Sequence, residues 1–169
     1  VTTFHPHPRE IVYPKDDDLQ ILTTLNEKLE YFRRYGVANV VIIPFTIEFS
    51  QQSAQEYIEN FLVSKFHPSH IVIGYDHRFG LNRAGDVRLL KMYGPENNYE
   101  VVQIGEEEWK NLSISSTRIR NALLENNIEL TNELLGHPFM IKGQVITGNR
   151  LGHHIGYPTP KVKISDSRK

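Results

Sequence analysis

The fold is indicated first by one apolar stretch, Val37-Ala38-Asn39-Val40-Val41-Ile42-Ile43-Pro44-Phe45, which is rich in β-branched residues. Such a run predicts a strand that is buried on both faces, as in a parallel sheet. Apolar residues at helical spacing follow across residues 53–66, and a second short apolar strand, also predicted to be buried, follows at residues 71–73. A strand, a helix and a strand in this order predict an α/β fold whose parallel sheet is covered by helices.

The same alternation continues on both sides of this unit. Residues 1–4 are typical of a strand, and Thr24 and Glu27 fit a capping box that begins a helix, which Gly36 would end. Further segments have the spacing of helices or the composition of a strand: helices at residues 87–93, 119–125 and 130–135, and an extended segment at 100–104.

Composition excludes several classes of protein. The chain has 169 residues, a formal net charge of -1 and no Cys, which excludes a disulfide scaffold, a thiolate metal site and a cysteine nucleophile. The near-neutral charge argues against a dedicated nucleic-acid binder. No apolar run approaches the roughly 18 residues that a membrane span needs. We therefore expect a cytoplasmic protein that binds neither nucleic acid nor membrane.

The two ends of the chain differ in net charge and in the secondary structure that their sequences predict. Residues 138–169 hold six Lys or Arg and one acidic residue, whereas residues 1–137 are net acidic. Short β-like runs separated by Gly follow Pro138 and predict an antiparallel barrel or sheet. We expect two domains, at residues 1–137 and 138–169. Because Val1 begins within a strand-like run, we also expect a piece of a longer protein, truncated at both ends.

Three polar segments lie where a parallel α/β sheet binds ligands, after the carboxyl ends of strands or at a helix start. They are residues 4–8, 74–80 and 114–120. In the third, Ser115, Ser116 and Thr117 open a helix, whose amides and dipole favour an anion. Arg118 or Arg120 could add phosphate contacts. The alternative is an ordinary Ser N-cap with two solvated arginines.

Each of the other two segments has one interpretation as a ligand-binding segment and one as an ordinary structural feature. His5 and His7 could ligate a metal, but no third ligand is identifiable, so a rigid wall with one ligand-facing His is favoured. Pro6, Pro8 and Pro14 predict that residues 5–18 lack regular structure. Asp76 and Arg78 form either an ordinary ion pair or part of a binding loop.

Taken in order, the segments Phe4-His5-Pro6-His7-Pro8, 74–80, 114–120 and 143–159 resemble those of bacterial bifunctional riboflavin kinase/FAD synthetases, of the Bacteroidetes type. The resemblance implies a Rossmann-like nucleotidylyltransferase domain followed by the start of a β-barrel kinase domain. It implies an enzyme that joins FMN and ATP into FAD and pyrophosphate and that phosphorylates riboflavin, with Mg²⁺ as cofactor.

The resemblance also implies the site residues. Ser115, Ser116, Thr117 and Arg120 would hold the ATP phosphates, and the cleft for flavin and nucleotide would include Pro6, His7, Pro8, Asp76 and Phe79. Gly148 and Gly156 match a flap over the nucleotide of the kinase, and Thr159 matches its magnesium ligand.

This sequence departs from the family pattern at several positions. His77 replaces a Phe of the Gly-x-Asn/Asp-Phe-x-Phe-Gly loop, and Lys161 replaces a metal-binding Asn. The His-x-Gly-His motif, whose histidines stabilise the transferred phosphate in the family, does not occur in this sequence, so no residue here is assigned as catalytic. Two alternatives therefore stay open: another nucleotidylyltransferase, and a non-catalytic nucleotide- or flavin-binding module.

Overall fold

A computed structural model describes residues 1–15, 20–110, 112–146 and 160–164. The described residues are mixed α/β, as the sequence predicts, and they divide into two compact units. The helical unit contains Val1 and the described residues of 17–41 and 115–169. The sheet unit contains those of residues 2–16 and 42–114.

The strands of the described residues are β1 (Thr2–His5), β2 (Val41–Pro44), β3 (His70–Gly74), β4 (Glu100–Ile104), β5 (Glu108–Trp109), β6 (Leu112–Ser113), β7 (Gly143–Ile146) and β8 (Lys161–Ile164). The helices are α1 (Pro8–Val12), α2 (Leu25–Arg34), α3 (Ile47–Ser50), α4 (Ala54–Glu56), α5 (Ser64–Phe66), α6 (Val87–Asn97), α7 (Ser116–Leu124) and α8 (Ile128–Leu135). A π-helical segment, Tyr57–Val63, joins α4 to α5, and a 3-10 turn, Leu81–Arg83, follows β3.

The strands pair two by two. β3 and β4 are parallel, with His70 opposite Glu100 and Gly74 opposite Ile104. β1 pairs with β2, and the amide of Phe45 donates to the carbonyl of His5 over 3.2 Å. β5–β6 and β7–β8 are antiparallel. The β7–β8 pair agrees with the antiparallel β structure predicted after Pro138, while a complete barrel stays a prediction.

The predicted helix before β2 is confirmed, and its end explains why the strand is shorter than predicted. Thr24 and Glu27 form the expected capping box. Gly36, at a φ of 73°, ends α2 with its amide on the carbonyl of Arg33, and the next amide, that of Val37, donates to Phe32. This pair of bonds is a Schellman cap. Because the cap uses Val37, the strand begins at Val41 rather than at residue 37.

The prediction that both strands are buried on two faces was wrong. In β2 only Ile43 is buried, and in β3 Val72 is 62% exposed. Alternate residues of a strand point to opposite faces, and Ile73 is buried whereas its neighbour Val72 is exposed, so only one face of β3 packs on the core. The prediction that residues 5–18 lack regular structure was also wrong. Residues 8–12 form α1, because Pro is well tolerated at the first position of a helix.

The core of the sheet unit is an aromatic network. Buried residues of the π-helical segment, β3 and α6 meet around Tyr57, Ile58 and Leu90. The rings of Phe4, Phe45, Phe49, Phe61 and Phe66 form a chain of edge-on and tilted pairs that reaches Tyr57. The ring of Tyr57 stacks on that of Phe79, with 5.0 Å between centroids. The network therefore joins β1 to the loop that follows β3.

Gly80 closes this loop against α4, and we predict that Gly80→Ala is strongly destabilising. Gly80 has a φ of 74°, and a Cβ there would lie 2.6 Å from the backbone of Ala54. Gly36 has almost the same φ, 73°, but open space around it, so Gly36→Ala is the matched control. We expect about 1 kcal/mol of destabilisation for Gly36→Ala and roughly 2–4 kcal/mol for Gly80→Ala in urea unfolding. Equal losses of unfolding free energy in the two variants would show that the backbone at Ala54 moves to accommodate the added methyl group.

A second prediction concerns Tyr57, since burial raises the pKa of its hydroxyl from 10.0 to about 12. The folded state holds the proton more tightly than the unfolded state, so this contribution to stability is complete below pH 10 and is lost as the pH rises towards 12. Urea unfolding at pH 8 and pH 11 should show that the wild type loses about 1.4 kcal/mol more than Tyr57→Phe. Tyr35→Phe, whose ring is 70% exposed, is the control and should follow the wild type.

Candidate functional site

The sequence predicts an anion site at the N-terminus of α7, and the structure places the helix start at Ser116. Ser115 caps the helix, and its Oγ accepts from the amide of Arg118 over 3.3 Å. Ser116 and Thr117 are exposed in the first turn, while Ile119 and Ala122 are buried and fix the helix in its unit. One of the three hydroxyls is therefore used for capping, and two stand at the end of the helix where the dipole favours negative charge.

The half-buried Arg120 is held by a contact that the sequence does not predict. Its Nε donates to the carbonyl of Gln20 over 2.6 Å, across a separation of 100 residues. Gln20 lies in the segment that enters α2, and no local pattern of residues marks it. The contact orients the guanidinium of Arg120 relative to α7.

The His-Pro segment is built as a helix cap. β1 ends at His5, the His5–Pro6 peptide bond is cis, and His7 is the N-cap of α1. The Nδ1 of His7 accepts from the amide of Arg9 over 3.2 Å, and the carboxylate of Glu10 accepts from the amide of His7 over 3.2 Å. Pro6, His7 and Pro8 are half-buried. Capping therefore uses one nitrogen of His7, and the rigid wall facing a ligand stays a prediction.

The loop of residues 74–80 divides into an exposed part and a buried anchor. Asp76 and His77 are exposed, whereas Phe79 is 6% exposed and stacks on Tyr57. The backbone of Phe79 also exchanges two hydrogen bonds with Gly85. Phe79 therefore positions the loop from the core, and a direct contact of its ring with a ligand stays a prediction.

An ion pair between Asp76 and Arg78 was one of the two interpretations of this loop, and the structure shows a different partner for Arg78. Arg78 instead pairs with Asp86, over 3.2 Å, and Asp86 caps α6. Hydrogen bonds from the amide of Leu89 and the guanidinium of Arg88 hold the pKa of Asp86 below its usual value. His77 is exposed as a whole residue, but partial desolvation of its ring lowers its pKa; Arg83 adds to this effect and the charge of Asp76 opposes it. The ion pair thus ties the loop to α6 and leaves Asp76 exposed.

Tyr75 is a further polar residue of this loop that sequence reasoning missed. Tyr75 is 44% exposed, and Glu106, which follows β4, and Ser113 of β6 both influence the pKa of its hydroxyl. Partial burial, followed by the contact with Glu106, raises the pKa of Tyr75. The loop after β3 and the residues after β4 therefore meet at the carboxyl edge of this parallel pair.

The predicted site residues are thus placed in both units. His7, Asp76 and Phe79 belong to the sheet unit, and Ser115, Ser116, Thr117 and Arg120 to the helical unit. That they form one cleft stays a prediction. Gly148, Gly156 and Thr159 lie outside the described residues. Among the residues that are described, no group of three or more His, Asp or Glu could hold a metal ion, and no helix is long and apolar enough to cross a membrane.

The chain was compared with known protein families and structures. A family model described as FAD synthetase matches residues 1–118, and one described as riboflavin kinase matches residues 135–169. A solved structure titled as a macrolide-efflux protein from Streptococcus pneumoniae is 32% identical, with a TM-score of 0.86 over 99% of this chain and 54% of that chain.

Curated relatives carry the name bifunctional riboflavin kinase/FMN adenylyltransferase. One from Buchnera aphidicola subsp. Schizaphis graminum is 41% identical over 162 residues, and one from Escherichia coli K12 is 37% identical over 164 residues. These matches cover 95% and 97% of this chain and 52% of each relative, so the chain spans about half the length of the curated relatives it matches. The family predicted from the four ordered segments is confirmed: this chain belongs to the FAD synthetase family.

Proposed function

We propose that this chain is part of an enzyme of FAD biosynthesis. Residues 1–137 form the domain that transfers AMP from ATP to FMN, giving FAD and pyrophosphate. Residues 138–169 begin the domain that phosphorylates riboflavin to FMN. The names of the relatives and the two family matches support both activities.

The observation that carries the proposal is the N-terminus of α7. Ser116 and Thr117 are exposed on its first turn, and Ser115 caps it. Exposed hydroxyls, main-chain amides and a helix dipole together suit the phosphates of a nucleotide. The side chain of Arg120 would add a charged donor, which binds phosphate more strongly than a neutral group does.

In the proposed reaction, the polar groups at the start of α7 contact the leaving group, which is pyrophosphate. A phosphate oxygen of FMN attacks the α-phosphorus of ATP, the bond to the β-phosphate breaks, and its electron pair goes to pyrophosphate. Negative charge grows on that pyrophosphate, and Ser116, Thr117 and Arg120 would stabilise it from a preorganised position. His7 and Asp76 would line the cleft, each on a loop that directly follows a strand.

The proposal includes Mg²⁺, which the family resemblance implies, and a cytoplasmic location. Thr159, the residue assigned to magnesium, lies outside the described residues, and those that are described contain no cluster of metal ligands. The proposed steps therefore assign roles to side chains of this chain and none to the metal ion.

Binding and turnover are tested separately on the 169-residue chain. FMN fluorescence should be quenched on titration, and ATP should bind in the presence of magnesium. FAD formation should be slight, because the family's His-x-Gly-His motif does not occur in this sequence. Absence of flavin binding would favour another nucleotidylyltransferase. Rapid FAD formation would contradict the expectation that the missing histidines are required.

Arg120→Ala tests the phosphate site. We expect ATP affinity to fall by about 10-fold to 100-fold, as for a lost hydrogen bond to a charged group, while FMN affinity changes little. Calorimetric titration with each ligand measures both. Arg33→Ala, a surface change on α2, is the control. Unchanged ATP affinity in Arg120→Ala would remove Arg120 from the site.

A further inference from the structure

The residues between α8 and β7 make specific contacts with the helical unit. These residues, 137–142, form a connector that leads directly into β7, the first strand of the segment that matches riboflavin kinase. Flexible linkers are typically rich in Gly and Ser, and the connector has neither. Phe139 and Met140 are half-buried.

The connector is held at its start, middle and end. The ring of His137 stacks on Tyr31 of α2, with 4.5 Å between centroids, and its Nδ1 lies 3.4 Å from the Tyr31 hydroxyl. The amide of Phe139 donates to Oδ1 of Asn132 in α8 over 2.7 Å. The amide of Lys142 donates to Oε1 of Glu27 in α2 over 3.0 Å. The last contact lies one residue before β7 begins.

Glu27 joins the connector to the start of α2. Its Oε2 accepts from the amide of Thr24 over 2.9 Å, as in any capping box, while Oε1 is bound by Lys142. Glu10 and Glu56 complete two similar capping boxes and are exposed, whereas Glu27 is 1% exposed. Completing a capping box therefore does not require the glutamate to be buried. A buried carboxylate costs free energy unless it is well hydrogen bonded, and Lys142 supplies one of its bonds.

We propose that the connector is an anchored joint rather than a flexible tether, and that Glu27 is the positioning residue that fixes the start of β7 on α2. Its carboxylate serves helix and connector at once. Release of Lys142 therefore leaves an acceptor oxygen of Glu27 without that partner. The riboflavin kinase segment would begin from a fixed point on the helical unit.

Hydrogen exchange of individual amides, measured by NMR on the full chain without ligand, tests the proposal. Glu27→Gln keeps the size of the side chain and removes one acceptor oxygen. We expect the Lys142 amide to exchange about 10-fold faster or more, with little change in β3 and β4. Thr24→Ala is the matched control, because it weakens the cap of α2 and keeps the Glu27 carboxylate. It should leave the Lys142 amide nearly as protected as in the wild type.

The middle contact gives an independent test if Glu27→Gln does not fold. Asn132→Ala removes the acceptor of the Phe139 amide, and Asn132→Asp retains one. Faster exchange of Phe139 in the first variant and not in the second supports the anchored joint. Unchanged exchange at Lys142 or Phe139, or equal acceleration at Lys142 in Thr24→Ala, overturns it. Since no ligand is involved, these outcomes are independent of the proposed reaction.

Discussion

The stack of Tyr57 on Phe79 is the interaction on which the sheet unit depends. Its two rings are buried, 5.0 Å apart, and they connect the aromatic network of β1 and the π-helical segment with the loop after β3. Aromatic pairs contribute roughly 0.5–1.5 kcal/mol beyond the area that they bury. The more important effect is geometric: with Phe79 fixed in the core and Gly80 pressed on Ala54, the exposed residues of the loop have a rigid base.

Helix caps position the other candidate groups. His7, Asp86 and Ser115 each accept a backbone amide at the start of a helix, and each lies in or beside a segment assigned to the site. A capping side chain is held at a fixed place because it satisfies amides that the helix itself leaves free. If these segments form the predicted site, the same residues stabilise the helices that carry it, which makes substitutions there poor tests of ligand contact.

Local patterns in the sequence predicted local structure well. The capping box of Thr24 and Glu27, the end of α2 at Gly36 and the Ser cap of α7 follow from neighbouring residues, and the structure confirms them. The alternation of strands and helices predicted the mixed α/β class for the same reason. Burial was harder, because an apolar strand such as β3 has the same composition whether one face or both are covered, and Val72 is 62% exposed.

Contacts between distant residues left no local pattern. Arg78 has Asp76 two residues away, yet it pairs with Asp86, because α6 brings a capping carboxylate to the loop. The bond from Arg120 to Gln20 and that from Lys142 to Glu27 each join residues at least 100 positions apart. Residues 5–18 were misjudged for another reason: three prolines suggested an irregular chain, but Pro8 occupies the first position of α1, where an amide would have no acceptor within the helix.

The helical unit depends on such polar contacts more than the sheet unit does. Its buried residues are few in the described chain: Glu27, Ile119, Ala122, Thr131 and Leu134. With so small an apolar core, individual hydrogen bonds to a buried carboxylate or a guanidinium carry a larger share of the stability. Arg120 and Lys142 both donate hydrogen bonds to residues 20–27, which lead into α2 and form its first turn. The predicted phosphate site and the connector are therefore supported by the same short segment, and its order is a requirement that both share.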